Sequence, residues 1–278
     1  MLDRFFKMHY FDTYFFINVI HALVTDQSPF PNTLEHFLRE GEHSKFLEPF
    51  PKYCALHKFI KFLIITDMYE SIDDVVHDAI VFDPDFNLWV DLALAQYGID
   101  HEGFRSWIKG KGIDLEDCTQ ENLREYHEYL EAKGIVNLLL AYMVDEIFFI
   151  LFLNRELLAE FNGKIAELIS LCKKDAINDD DQKYFKDDGV LNRTYIPVWA
   201  TRAVFYRDRG RCSSCQRDIS GLVSINSNEH FDHIVPLATG GINDVTNIQL
   251  LCQECNLKKG PTLSPPSITY ERWYEMDE

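Results

Sequence analysis

Apolar and polar positions along the first two thirds of the chain alternate with helical spacing. Residues 12–25 are apolar and aromatic until Ser28-Pro29-Phe30-Pro31 interrupts them, which predicts one helix and its stop. A second follows over 51–66, where Cys54, Ala55, Phe59, Phe62 and Leu63 share one face. Asp83-Pro84 supplies an N-cap and first helical residue for a helix running to Tyr97, with Gly98 as its stop. Residues 119–133 are charged and helix-prone and end at Gly134, and 135–161 read as one long helix terminated by Gly163. From Phe231 the pattern changes. Residues 231–235 are β-prone and stop at Pro236, Gly240-Gly241 makes a turn, and 248–251 form a second short apolar strand. Gln253 to Lys259 reads as a short helix closed by Gly260-Pro261. The fold class expected is mainly α: an all-helical N-terminal domain followed by a small strand–loop–strand–helix module. No 20–50-residue repeat is visible.

Residues 135–153 raise the question of a membrane span, but Asp145 and Glu146 lie at the middle of that apolar run. An acidic residue there costs about 2.5–3.5 kcal/mol on insertion, so a buried core helix is expected and no membrane partner. The N-terminus carries early charges and no small-residue cleavage site, so no secretory signal is expected. Cys54, Cys118 and Cys172 are widely spaced and read as reduced thiols, which suits a cytoplasmic location.

Charge divides the chain unevenly. Residues 1–190 carry 18 basic and 35 acidic side chains, net −17, whereas 191–260 carry 8 and 6, net +2. The front should repel nucleic acid, and the back has local basic clusters. The expected domains are an acidic helical domain over 1–175, an acidic linker over 176–190, a functional module over 191–261 and a tail over 262–278. Nineteen of the 21 phenylalanines fall in 1–190. Most belong to its core, and the remainder could form a self-association or partner surface. No motif gives this front domain an activity.

The chemistry concentrates in the module. Cys212-Ser-Ser-Cys215 and Cys252-Gln-Glu-Cys255 are two Cys-x-x-Cys pairs separated by 36 residues. Each pair closes a tight knuckle with two sulfurs aimed at one point, which suits a tetrahedral structural Zn²⁺ held by all four cysteines. Between the pairs lies Asp232-His233, with Asn247 fourteen positions after the histidine and Asn256 nine beyond that. Asn256 sits in Cys-Gln-Glu-Cys-Asn-Leu-Lys-Lys-Gly, and the lead-in from Ile196 to Cys212 carries Arg202, Arg207, Arg209 and Arg211.

Together these motifs, over about a quarter of the chain, resemble the HNH endonuclease family and its ββα-metal fold. By residue chemistry, His233 is the candidate general base, since a lone imidazole titrates near neutrality. Asp232 and Asn256 offer hard oxygen donors suited to one catalytic Mg²⁺ or Mn²⁺. The resemblance implies that Asn247 holds the loop and orients the histidine, although Asn also favours turns for its own reasons. His230 shares a strand face with Asp232 and is either a phosphate or metal contact or an exposed histidine. Arg202, Arg207, Arg209, Arg211, Lys258 and Lys259 are candidate phosphate contacts.

The function implied is metal-dependent hydrolysis of DNA phosphodiester bonds. The build resembles that of bacterial and phage-defence effectors in which a second domain senses, docks or restrains. The alternative is a zinc-stapled nucleic-acid-binding or regulatory subunit active only within a larger complex. The residues leave open DNA against RNA and nicking against double-strand cleavage.

Overall fold

The computed structural model describes residues 6–28, 32–39, 43–73, 80, 83, 85–221, 230–262 and 266–272. The chain is mainly helical, with a small β component near its C-terminus. Helices α1 to α3 are Thr13–Val24, Asn32–Arg39 and Ala55–Asp73, and α4 to α6 are Trp89–Gln96, Phe104–Gly110 and Gln120–Ala132. Helices α7 to α9 are Ile135–Leu151, Arg155–Ser170 and Asp179–Gln182, and α10 and α11 are Val198–Arg207 and Gln253–Lys259. Strands β1 (Phe185–Asp187) and β2 (Val190–Leu191) form one antiparallel pair, and β3 (Phe231–His233) and β4 (Ile248–Leu250) form another. Two compact units divide the chain: Met1–Asn18 with Phe59–Phe148, and Val19–Lys58 with Phe149–Glu278.

In the first unit, Thr119 caps α6 through a reciprocal box with Asn122, where the sequence places that start. Pro84 lies outside the described residues, and the helix expected from Asp83-Pro84 begins instead at Trp89, after an extended Leu88. Glu146 explains itself. It is fully buried in α7 and accepts hydrogen bonds from the backbone N–H of His9 and Tyr10 and from Thr13 Oγ1. The acid that argued against a membrane span thus ties the chain before α1 to α7, since a buried carboxylate must be fully partnered. Among the described residues no single helix is long and apolar enough to cross a membrane, and α6 and α7 meet at a 79° bend.

The long helix expected over 135–161 is two helices. Asn154 leaves the helical region and its side chain accepts from the Leu157 N–H, capping α8, while Gly163 lies inside α8 rather than ending it. Asn competes effectively for backbone donors at a helix start, and that outweighs apolar continuity across 152–154.

In the second unit α8 is the support on which the site is assembled. Residues 176–190, expected as a linker, hold α9 capped by Asn178 and most of the β1–β2 hairpin, and a 3₁₀ turn (Lys174–Ala176) leads into them. Polar residues that suggest a linker act here as caps, with Asn178 accepting from the Asp181 N–H and Asp188 from the Lys174 N–H, and Phe185 buries its ring to anchor the hairpin. Gly189 turns the hairpin with a positive φ of 65°, its N–H donates to the Cys172 carbonyl, and a Cβ there would lie 2.6 Å from the Ser170 carbonyl oxygen. Gly240, also at positive φ, presses so closely on α8 that a Cβ would strike the Ala166 carbonyl oxygen. Both positions need glycine for sign of φ and for space. Asn162 of α8 reaches Thr246 Oγ1 at 3.2 Å, and Asp244 accepts from the Ala55 N–H of α3 and from Thr246.

Candidate functional site

The four knuckle cysteines come together. Their sulfurs all lie within 4.8 Å of one another, and those of Cys215 and Cys252 are 3.8 Å apart. Zn–S bonds of about 2.3 Å set tetrahedral S···S separations of about 3.8 Å, so the cluster is compatible with structural zinc. The first knuckle is shaped by local backbone bonds: Gln216 N–H donates to the Cys212 carbonyl, Cys212 N–H to that of Arg217, and Gln216 takes φ 63° to turn the chain. Ser213 joins the knuckle to β4, donating its N–H to the Leu250 carbonyl and its hydroxyl to Gln249 Oε1 at 2.9 Å. Burial, followed by a hydrogen bond to Cys252, pushes the Cys255 thiol up to about 12. A divalent cation must displace such protons to take thiolate ligands.

The second knuckle opens α11, with Cys252 as its N-cap. That helix joins the two halves of the site. Cys255 points into the sulfur cluster, while Asn256 and Lys259, three residues apart on one face, line a cleft of about 430 Å³ with Arg193, Asp232, His233 and Pro236. The β3–β4 register pairs Asp232 with Gln249 and His233 with Ile248. Asp232 and His233 therefore emerge at the end of β3 beside α11.

His233 is 3% exposed. Its Nε2 lies 3.2 Å from Asn243 Oδ1, and Asn243 Nδ2 donates to the Asn192 carbonyl at 2.9 Å. That second bond fixes which way the amide faces, so Oδ1 is the atom presented to the histidine. An amide oxygen only accepts. The network thus assigns the proton to Nε2 and leaves Nδ1 as the basic nitrogen. Burial lowers the imidazole to about 4 against the smaller opposing pull of Asp232 and Asn243, which keeps the ring neutral at pH 7.

Asn247 does not bond His233. It receives the Val235 N–H on Oδ1 and donates Nδ2 to the carbonyls of Val235 and Ile242, at 2.9, 3.0 and 2.9 Å. It clamps the two ends of the loop between the strands, and the contact to the histidine belongs to Asn243. His230 is half-buried, its Nδ1 3.0 Å from the carbonyl of Leu251, the residue after β4.

The basic residues differ in their surroundings. Arg207 is buried. It chelates Asp208 through Nε and Nη2 at 2.9 and 2.8 Å, reaches the Ile248 carbonyl at 2.7 Å and stacks over Phe152. Asp208 in turn accepts the Leu250 N–H, so the pair secures β4 and has no face for a ligand. Removing one partner of a buried pair typically costs about 3–5 kcal/mol. We expect Arg207→Ala to lower stability on that scale in a denaturant titration; an unchanged midpoint would contradict the assignment. Lys259 Nζ lies 2.8 Å from Asp232 Oδ2, inside the cleft. Arg211 is paired with the Glu271 carboxylate, and Arg209 reaches the Glu271 carbonyl at 3.5 Å. Arg202 and Lys258 are exposed.

Asn243, Asn192 and Arg193 are site neighbours that sequence reasoning missed. Asn243 could have been found as the polar residue two positions after Gly240-Gly241, but nothing local connects residues 192–193 to a histidine forty positions on.

Residues 212–262 match the HNH endonuclease family. No curated protein and no solved structure matches the chain.

Proposed function

We propose that the chain is a metal-dependent endonuclease that hydrolyses phosphodiester bonds of DNA, with the HNH segment as its catalytic part. One observation carries this reading: Asp232, His233 and Asn256 open on a single cleft whose ionic lining is Arg193, Lys259 and Asp232. With His233 neutral, that lining is net positive in a chain of net charge −18. It is a place where a phosphodiester can sit.

In this reading His233 Nδ1 takes the proton from a water that attacks phosphorus, while Asn243 holds the ring through Nε2 and so keeps Nδ1 basic. The P–O bond to the leaving sugar oxygen breaks in line with the new one, and that oxygen departs to be protonated from solvent. Asp232 and Asn256 would hold one Mg²⁺ or Mn²⁺, which supplies Lewis acidity at the phosphate and leaving oxygen. The donor set fits, because a carboxylate and an amide oxygen are hard ligands. Lys259 already places a cation on that carboxylate. The four cysteines would hold Zn²⁺ structurally, with no open ligand position.

The test is conversion of supercoiled plasmid by protein that retains its zinc, with Mg²⁺ or Mn²⁺ titrated in. Cleavage should require the added ion. Asp232→Ala and Asn256→Ala should each lose most activity, with partial return at high Mn²⁺. Duplex binding without cleavage at any concentration of either ion would favour the zinc-stapled binding module instead.

A further inference from the structure

We infer that Arg193, which precedes the segment matching the family, is a substrate-contacting residue of this site: its guanidinium clamps a phosphate of the strand being cut. The inference rests on the endonuclease reading and extends the machinery beyond residues 212–262.

Arg193 is delivered to the cleft by structure on both sides of it. Immediately before it, Leu191 is buried in β2 and paired with Phe185. Asn192 is held by its own N–H to the Tyr184 carbonyl at 2.8 Å and by Nδ2 to that of Lys183 at 2.9 Å. After it, Ile196 is buried and Pro197 opens α10. Strand β2 also packs on the Leu237–Thr239 turn, which lines the same cleft. The backbone at 193 is thus tied at both ends, which is what a guanidinium needs in order to be aimed rather than to sweep solvent.

The other groups in the cleft leave Arg193 a distinct task. Lys259 is spent on Asp232. Arg193 lines the same cleft, is exposed, and is close enough to His233 for its charge to bear on the imidazole. Its neighbour Asn192 gives its carbonyl to Asn243, the residue that holds His233. One short segment therefore fixes the base and presents the charge. A planar guanidinium matches two phosphate oxygens at once, and it cannot lose its proton beside a metal or a second cation.

Two measurements on the full-length chain test this. In plasmid cleavage, Arg193→Ala should lower kcat/KM on the order of 10²-fold, the loss seen when one donor to a developing oxyanion is removed. Arg193→Lys should recover only part of it, since it keeps the charge and loses the fork. In duplex binding measured on a His233→Ala background, where nothing is cut, adding Arg193→Ala should weaken affinity and reduce the slope of log K against log salt by about one. Zinc content and thermal midpoint of each variant establish that the fold is intact. If the parent protein cleaves and Arg193→Ala cleaves and binds like it, the inference is overturned and the endonuclease reading stands. If the parent does not cleave yet the salt slope falls by one, the contact is supported and the endonuclease reading fails.

Discussion

His233→Ala is expected to abolish plasmid cleavage and to leave zinc content and the helical circular-dichroism signal at the parental level. The expectation follows from where the imidazole sits. It is neutral at working pH because burial disfavours its cation, and Asn243 consumes Nε2, so a single basic nitrogen remains and alanine removes it. General-base catalysis typically contributes about 10²–10⁴-fold, which brings a slow nuclease to background. Folding is expected to survive, since the ring bonds neither the sulfur cluster nor the Arg207–Asp208 pair that secures β4. The local cost is an unpartnered amide oxygen on Asn243, about 1–3 kcal/mol. Asn243→Ala offers a graded companion: Nδ1 is kept but the ring loses its hold, so kcat should fall by less than in His233→Ala while KM stays put. A His233→Ala protein that cleaves near the parental rate with added metal would remove the histidine from the mechanism.

The contrast between these two residues shows what the chain discloses locally. Asp232, His233 and Asn256 could be read because their neighbours constrain them: two knuckles of fixed spacing, a proline and a glycine pair leave little freedom in what lies between. Helix α6, capped by Thr119 and stopped before Gly134, was legible for the same reason. What was not legible depends on the direction a side chain takes in the fold, or on distant partners. Gly240 looks like flexibility in sequence and is a close approach to Ala166 in space. The Asn178–Asp181 run looks like linker, and its side chains bond one another and the backbone to start α9. Arg207 reads as a phosphate contact until Asp208, the next residue, folds back to chelate it. Gly240 trades a local propensity for a distant contact, and in the other two cases a near neighbour's side chain takes up the polar group; the fold records both exchanges.

Zinc removal should cost more than any single side chain. The four sulfurs cluster at spacings that suit a metal, and the β component they tie down is two strands of three residues. Structural zinc contributes about 10–16 kcal/mol of apparent binding free energy in small peptides, comparable with the whole stability of an ordinary domain, about 5–15 kcal/mol. Cys212→Ser or Cys255→Ser should therefore drop bound zinc below stoichiometry and release the knuckles. The effect reaches catalysis through α11: Cys252 and Cys255 fix its first turn, and Asn256 and Lys259 ride on that turn and the next. Cleavage should vanish together with amide-exchange protection over residues 212–219 and 252–259. Protection in α6 and α7 should persist, because Glu146 and the Thr119 cap do not depend on the metal. Metal analysis of undenatured parent protein should return one zinc per chain. A chain that contains none and still cleaves, or a Cys212→Ser variant with parental exchange over both knuckles, would show that thiol packing alone holds the module.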